Sequence, residues 1–459
     1  MLKQSEVPTM NCYLVGGYVR DKLLGLDPSD RDFVVINESP DSMRSRGYSL
    51  VGNHFPVFLH PLSGEEYALA RSEKSTGKGH SEFECAWKGV TLEDDLYRRD
   101  YTINAMAETT DGVLIDPYGG ANDLEAGMLR HVSPHFAEDP LRILRGARFA
   151  AKLGFSVAPE TIDLMRQMVG EGMLETLSAE RLWKETEKAM LTDNPVVFFE
   201  VLDACGALDR VFPELAALRG IPQRADFHSE GDAFVHTFMV LKEGALYSAK
   251  LDDFRKLRIR MAALLHDLGK SRTDPKHLWD EEGNVLGKHP GHEEPEQFEP
   301  LLNSLAERLK MPSNIKDFVF RVTHVHQNVH AIFSAKGPGL VRMYERLDAA
   351  RALRHDPHFL EDIAIACEAD NYGRLILKDD GTTKRPENYA QREYFCRAMR
   401  AIFEVAPGPI VKALMGEGRT LDYALEKVVA AQRSSVKAMI AEQRAMPKED
   451  RDQLLGTRA

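Results

Sequence analysis

The sequence predicts an α+β fold, a small mixed-sheet head over residues 1–135 followed by an all-α remainder. Short β-branched runs with turn signals between them fill the first 135 residues; after Pro140 they give way to long stretches rich in Leu, Ala, Glu, Lys and Arg. Near the start, a glycine turn opens a helix, and two aspartates then lead into a strand.

Tyr13 to Val15 is an apolar run that stops at Gly16-Gly17, and Val19, Leu23 and Leu24 set a helical period that closes at Gly25. The segment therefore reads strand, glycine turn, helix. Glycines at such a turn let backbone N–H groups approach a phosphate, with the helix dipole and Arg20 supplying positive charge. Asp30 and Asp32 stand two residues apart at the mouth of the strand Phe33 to Ile36, so their side chains share a face. A hard cation with oxygen ligands, Mg2+ beside a nucleotide phosphate, would relieve that repulsion. A solvated Asp-Pro-Ser-Asp turn fits the same residues, and they leave both readings open.

Further strands are expected at Pro56 to Leu59, Tyr67 to Ala70 and Val113 to Asp116. Before the last of these, Arg98, Arg99 and Asp100 precede Asn104, an arrangement able to clamp a triphosphate or a strand end, although charge runs are commonly solvated helix faces. Asp139-Pro140 then marks a helix start by its cap and first-turn preferences. Leu141 and Leu144 face the core while Asp139, Arg142 and Arg145 line one flank, and the spacing by threes carries Arg148 to a substantially different face. The row reads either as an intrahelical ladder, about 0.2–0.5 kcal/mol per pair, or as an acceptor and planar donor forks that read a base edge.

Arg260 to Lys270 reads as an amphipathic helix ended by Gly269 and carrying His266-Asp267. His236 lies upstream and Asp370 downstream, with His289, His292, His324, His326 and His330 as further candidates. Imidazoles and carboxylates in these numbers suit a transition metal that activates water for phosphoester hydrolysis. The polar stretch Asp274 to Glu299 is expected to be an exposed loop.

A net charge of -12 argues against indiscriminate nucleic-acid binding but leaves a selective RNA enzyme with local basic clusters at Arg98-Arg99, at the arginines from 142 to 148, and at Arg255 through Arg260. The five cysteines are scattered without metal-ligand spacing, which suits a reducing compartment without disulfides. With no signal-like segment, bilayer-length apolar run or lipidation motif, the expected location is the cytoplasm, away from membranes.

The motifs LVGGYVRDKLLG, DRDFVV, EEYALARSE, LEDDLYRRDYTINAM, IDPYGG, RHVSPHFAEDPLRILRGARFAA and LLHDLGK together resemble the bacterial tRNA nucleotidyltransferases, the CCA-adding enzymes that carry an HD domain, from residue 12 to about 440. The resemblance implies a polymerase-beta-like nucleotidyltransferase head (1–135), a helical neck and RNA-binding body (136–225), an HD phosphohydrolase domain (226–375) and a C-terminal helical tail (376–459). It implies that Asp30 and Asp32 hold Mg2+, that Gly17, Arg20 and Arg99 contact the triphosphate, and that Asp139, Arg142, Arg145 and Arg148 read ATP and CTP. Glu66 is a candidate third acid, with Glu65 beside it. His236, His266, Asp267 and Asp370 match the HD pattern, which implies 2′,3′-cyclic phosphodiesterase, 2′-nucleotidase and phosphatase activities supported by a transition metal such as Ni2+. The stretch Lys270 to His292 is longer and more acidic than the family pattern, leaving the roles of His289 and His292 open. The implied partners are tRNA, ATP and CTP, with the chain a monomer or homodimer. A poly(A) polymerase shares the head motifs but usually lacks an HD domain and carries a basic C-terminal extension, whereas Leu421 to Ala459 mixes both signs. A catalytically inert RNA-binding or HD signalling protein would have little reason to keep both aspartates and the arginine row.

Overall fold

The computed structural model describes residues 10–28, 31–51, 57–70, 72–75, 83–86, 89–378 and 380–447; Asp30 lies outside them. The chain forms two compact units, Met1–Ala189 with Val197–Val211, and Met190–Val196 with Phe212–Ala459.

The first unit is built on a mixed seven-stranded sheet. Its strands are β1 (Cys12–Val15), β2 (Asp32–Val35), β3 (Ser49–Val51), β4 (Val57–Leu59), β5 (Glu66–Leu69), and, after a separate antiparallel ribbon of β6 (Ser72–Ser75) and β7 (Phe83–Ala86), β8 (Ala107–Glu108) and β9 (Leu114–Ile115). They lie in the order β3-β4-β5-β2-β1-β8-β9. β2 is central, antiparallel to β1 and parallel to β5. Its run Phe33-Val-Val-Ile36 is continuous rather than alternating because both faces are covered: Val34 and Ile36 pack with Val15, Leu96 and Ala105, and Val35 packs with Met43, Phe58 and Leu69.

The glycine turn forms as expected, with Gly16 at φ 69°, a helix over Gly17–Leu23 and Gly25 at φ 69° closing it. Downstream, the helix Leu141–Leu153 buries Leu141, Ile143, Leu144, Ala147 and Ala150, and the Asp139 carboxylate accepts the Leu141 N–H at 3.1 Å. Gly146 lies under Tyr101, where a Cβ would stand 1.8 Å from the phenol oxygen. That phenol donates to the Arg142 carbonyl at 2.8 Å.

The second unit is helical, with Ala233–Ser248, Asp253–Leu265, Ser313–His330 and Phe359–Tyr372 as its core, followed by Gln391–Phe403, Pro407–Gly416 and Leu421–Ala445. Three expectations change here. The helix leading to the His-Asp pair ends at Leu265 rather than Gly269, and from Leu257 onward it is buried on every side instead of amphipathic. Gly269 serves close packing, since a Cβ there would come within 2.1 Å of the His292 carbonyl oxygen. Arg255, Arg258 and Arg260 form no nucleic-acid patch: Arg255 and Arg258 converge on buried Asp362, and Arg260 donates to the carbonyls of Met190 and Thr192 at 2.6 and 2.7 Å. The stretch 274–299 is not simply an exposed loop, because it includes the short helix Pro275–Leu278, a bridge between Trp279 and Val285, and His292, which is 6% exposed. Among the described residues no helix is long and apolar enough to cross a membrane.

Replacing Gly146 by Ala is expected to force Tyr101 off the helix Leu141–Leu153 and lower stability by about 1–3 kcal/mol. A denaturation midpoint equal to that of the unaltered chain would contradict this packing.

Candidate functional site

In the first unit, the glycine turn, the end of β2, the segment Arg99–Asn104 and the helix Leu141–Leu153 surround a cleft of about 500 Å³. It receives Gly17, Arg20, Asp32, Arg99, Asp139, Arg142, Arg145 and Arg148, whereas Arg98 and the candidate acid Glu66 are not among its lining residues. Arg148 joins it although the helix turns away, because a long side chain spans the offset; its guanidinium lies 4.3 Å from the Phe149 ring centroid and pairs with Glu185. Arg181, Lys152, Asp100 and Asn104 complete the wall. Six arginines and Lys152 face three carboxylates there, an excess of positive charge within a chain of net charge -12.

These side chains hold one another in place. Arg20 donates to Asn104 Oδ1 at 2.7 Å, Asn104 donates to Asp100 Oδ1 at 3.1 Å, and Arg145 grips Asp100 Oδ2 at 2.7 and 2.9 Å. Burial alone would push the Asp100 carboxyl up, but the guanidiniums of Arg145 and Arg142 hold it well below the usual carboxylate range. Arg142 donates to the backbone carbonyls of Arg98 at 2.7 Å and His135 at 2.8 Å, and Arg181 clamps both oxygens of Asp139 at 2.9 and 3.1 Å. Arg181 carried no signal in the sequence, being one charged residue among many on the helix Ala179–Met190. Asp32 pairs in register with Glu66 on parallel β5, which puts those two acids, rather than Glu65, on the same face.

The second unit gathers His236, His266, Asp267 and Asp370 in its interior. His236 Nε2 is 3.1 Å from Asp370 Oδ1 and 3.6 Å from Asp267 Oδ2, and His266 Nε2 is 3.2 Å from Asp267 Oδ2. His292 and His326 join them, their Nε2 atoms 3.2 and 3.7 Å from Asp267 Oδ1. His330 reaches Asp370 Oδ2 at 2.6 Å, and Glu230 backs His236 Nδ1 at 2.9 Å. His289 stays outside the cluster, bonded to Thr273 and the Pro222 carbonyl, as does His324, which faces Glu294. The sequence could not sort these histidines, because spacing along a chain with long insertions does not report which helix returns to the centre.

The cluster suits a cation. Burial would push His266 down, yet the carboxylates of Asp267 and Asp370 push it up to about 10, and both of those carboxyls are held well below the usual range. His266 Nε2 and Asp267 Oδ1 are buried without a hydrogen-bond partner, as ligand atoms would be. Beside it opens a cavity of about 690 Å³ whose wall includes Arg224, Lys270, Lys288 and Arg374.

Three family models match the chain: the Poly A polymerase head domain over residues 12–130, the probable RNA and SrmB-binding site of polymerase A over 154–218, and the HD domain over 233–354. A multifunctional CCA protein of Alkalilimnicola ehrlichii is 45% identical over 443 residues, covering 96% of this chain and 99% of that protein. One from Vibrio cholerae is 46% identical over 413 residues, covering 89% and 95%. Among solved structures, a Thermotoga maritima CCA-adding enzyme complexed with tRNA matches in fold at TM-score 0.54 and 20% identity, covering 97% of this chain and 90% of that one.

Arg145→Ala should leave Asp100 buried without its main partner and cost about 3 kcal/mol, the low end for such pairs because Arg145 is partly exposed. The Asp100 carboxyl is depressed in the folded state, so its contribution is present above the ordinary aspartate value of 3.8 and is lost as pH falls below it toward the folded value. Stability curves of parent and variant should therefore run parallel from pH 5 to 7 and converge in acid; a gap that persists at acid pH would contradict the assignment.

Proposed function

The chain belongs to the multifunctional CCA protein family, and on that premise we propose that it adds and repairs the 3′-terminal CCA of tRNA from CTP and ATP without a nucleic-acid template, acting in the cytoplasm. The observation that carries this reading is the single cleft in which Asp32 meets the arginine row of the neck helix. Asp32 and, outside the described residues, Asp30 would hold Mg2+, with Glu66 on the same face as a candidate third acid. Bound there, Mg2+ supplies charge neutralisation at the triphosphate and acidifies the attacking hydroxyl.

The chain's own groups do the positioning. Gly17 and Arg20 cradle the phosphates, with Arg99 beside them. Asp139 accepts, and Arg142, Arg145 and Arg148 donate, so together they complement the Watson-Crick edges of C and A. The tRNA 3′-hydroxyl oxygen bonds to the α-phosphorus as the bond to pyrophosphate breaks. Arg142 and Asp139 hold protein partners in the structure, so base reading requires these forks to exchange partners for the nucleotide.

For the second unit we propose metal-dependent hydrolysis of phosphate esters, including 2′,3′-cyclic ones, with His236, His266, Asp267 and Asp370 as ligands of a transition metal such as Ni2+. The basic wall formed by Arg224, Lys270, Lys288 and Arg374 suits an anionic substrate. A poly(A) polymerase reading is not favoured, since the relatives at 45% identity are CCA proteins over their whole length.

With tRNA lacking its CCA end, the unaltered chain should stop after three nucleotides when given CTP and ATP together. Asp32→Ala should lower both CMP and AMP incorporation by at least about 10²–10³-fold, as should chelation of Mg2+, whereas Arg142→Ala should disturb the choice of nucleotide more than the phosphate chemistry. His266→Ala should abolish cyclic-phosphate hydrolysis and leave CCA addition intact. Equal incorporation by Asp32→Ala and parent, or retained hydrolysis after His266→Ala, would remove the corresponding assignment.

A further inference from the structure

We propose that Phe227 is the base-binding residue of the cavity beside the His-Asp cluster, so that the ester hydrolysed there is a nucleotide whose base stacks on the Phe227 ring while its phosphate meets the cluster. The inference rests on reading the second unit as a phosphohydrolase and adds a specificity residue to it. Phe227 is the one aromatic hydrocarbon among the described residues lining this cavity of about 690 Å³, and it is 46% exposed. The volume lies within the span of about 300–1,000 Å³ typical of small-molecule sites. The same wall includes His292, His330 and Asp370, so one space runs from an aromatic ring to the cluster.

The loop that carries Phe227 is fixed on both sides. The Phe227 and His228 N–H groups donate to the Arg224 carbonyl at 3.1 and 2.8 Å, closing a turn. Asp226 holds the Arg224 guanidinium at 2.6 and 3.2 Å, and that guanidinium lies 4.9 Å from the Phe227 ring centroid. A cation over one face leaves the other for a base, whose π-surface stacks on it with an offset. Beyond Phe227, the His228 ring packs edge-on against His236 with centroids 4.7 Å apart. Ser229 donates to the Leu375 carbonyl at 3.0 Å, and Glu230 accepts the Leu375 N–H at 2.9 Å. The aromatic platform therefore keeps a set distance from a member of the cluster.

The stretch after Lys270 supplies another wall. Trp279 bridges Val285, and the Leu286 and Gly287 N–H groups donate to the Leu278 carbonyl at 2.8 and 3.2 Å. Gly287 presses on the segment leading to Phe227, where a Cβ would come within 2.3 Å of the Gln223 carbonyl carbon. This ribbon brings His277 and Lys288 into the cavity wall. Lys270 is engaged by Asp267 Oδ2 and Gln223, both at 2.6 Å, whereas Lys288 is exposed and Arg374 Nε is buried without a hydrogen-bond partner. A nucleotide offers a flat apolar ring to Phe227 and anionic oxygens to Lys288 and Arg374. An ester without a base would leave the Phe227 ring in water.

The test uses the full-length chain with Ni2+ and two cyclic esters that share one five-membered ring phosphate: adenosine 2′,3′-cyclic phosphate, and glycerol 1,2-cyclic phosphate, which has no base. The unaltered chain should prefer the adenosine ester in kcat/KM. Phe227→Ala should reduce that preference by about 5–100-fold through a higher KM, the range that loss of one base–aromatic stack brings, and Phe227→Trp should retain it. No preference in the unaltered chain, an unchanged preference in Phe227→Ala, a loss confined to kcat, or an equal loss in Phe227→Trp overturns the assignment of Phe227 and leaves the hydrolase reading standing. Hydrolysis of neither ester by the unaltered chain overturns both. Should Phe227→Ala fail to fold, Phe227→Leu, which keeps apolar bulk without the ring, decides in its place.

Discussion

The ion pair between buried Asp100 and the partly exposed Arg145 is the interaction on which the head cleft depends. Through Asn104 it continues to Arg20, so one line of hydrogen bonds joins the helix of the glycine turn to the helix Leu141–Leu153. Asp100 is 7% exposed, and a charge so far from water persists only with a partner in good geometry. Tyr101 and Gly146 make the same junction on the apolar side, where the phenol fits only because the helix offers no side chain at residue 146. The glycine turn and the arginine row belong to different elements, and this junction sets their separation.

The two units apply opposite charge logic inside an acidic chain. The head cleft concentrates guanidiniums, as an anionic nucleotide requires, and holds them with a few buried acids and backbone carbonyls. The second unit buries carboxylates among imidazoles until the cluster favours a cation, and lines its outer cavity with Arg and Lys. The second arrangement is costly without a ligand, because His266 Nε2 and Asp267 Oδ1 are buried with no hydrogen-bond partner and lose the hydration they had in the unfolded chain.

Much of the chemistry was visible in the chain itself. The glycine turn, the strand after Asp32 and the helix at Asp139 each rest on local rules, and each forms where those rules place it. Legibility ended where chain separation entered. Arg255, Arg258 and Arg260 looked like an RNA-binding cluster, yet they point inward because Asp362 and the carbonyls of residues 190 and 192 come from distant segments to meet them. Gly269 looked like a helix stop but is instead a point of close approach, since nothing local announces the His292 backbone above it.

What the sequence determined alone was the set of chemical groups and their local posture: a glycine turn, acids at a strand mouth, a row of arginines on a capped helix, and a His-Asp pair. These follow from backbone sterics and side-chain periodicity, which act over a few residues. Only the tertiary structure decided which groups meet. It placed Arg181 on Asp139, set Glu66 beside Asp32, and chose His292 and His326 over His289 and His324 as neighbours of Asp267. Those choices depend on packing between segments dozens of residues apart, where complementarity of shape and charge selects the partner and spacing along the chain carries no record of it.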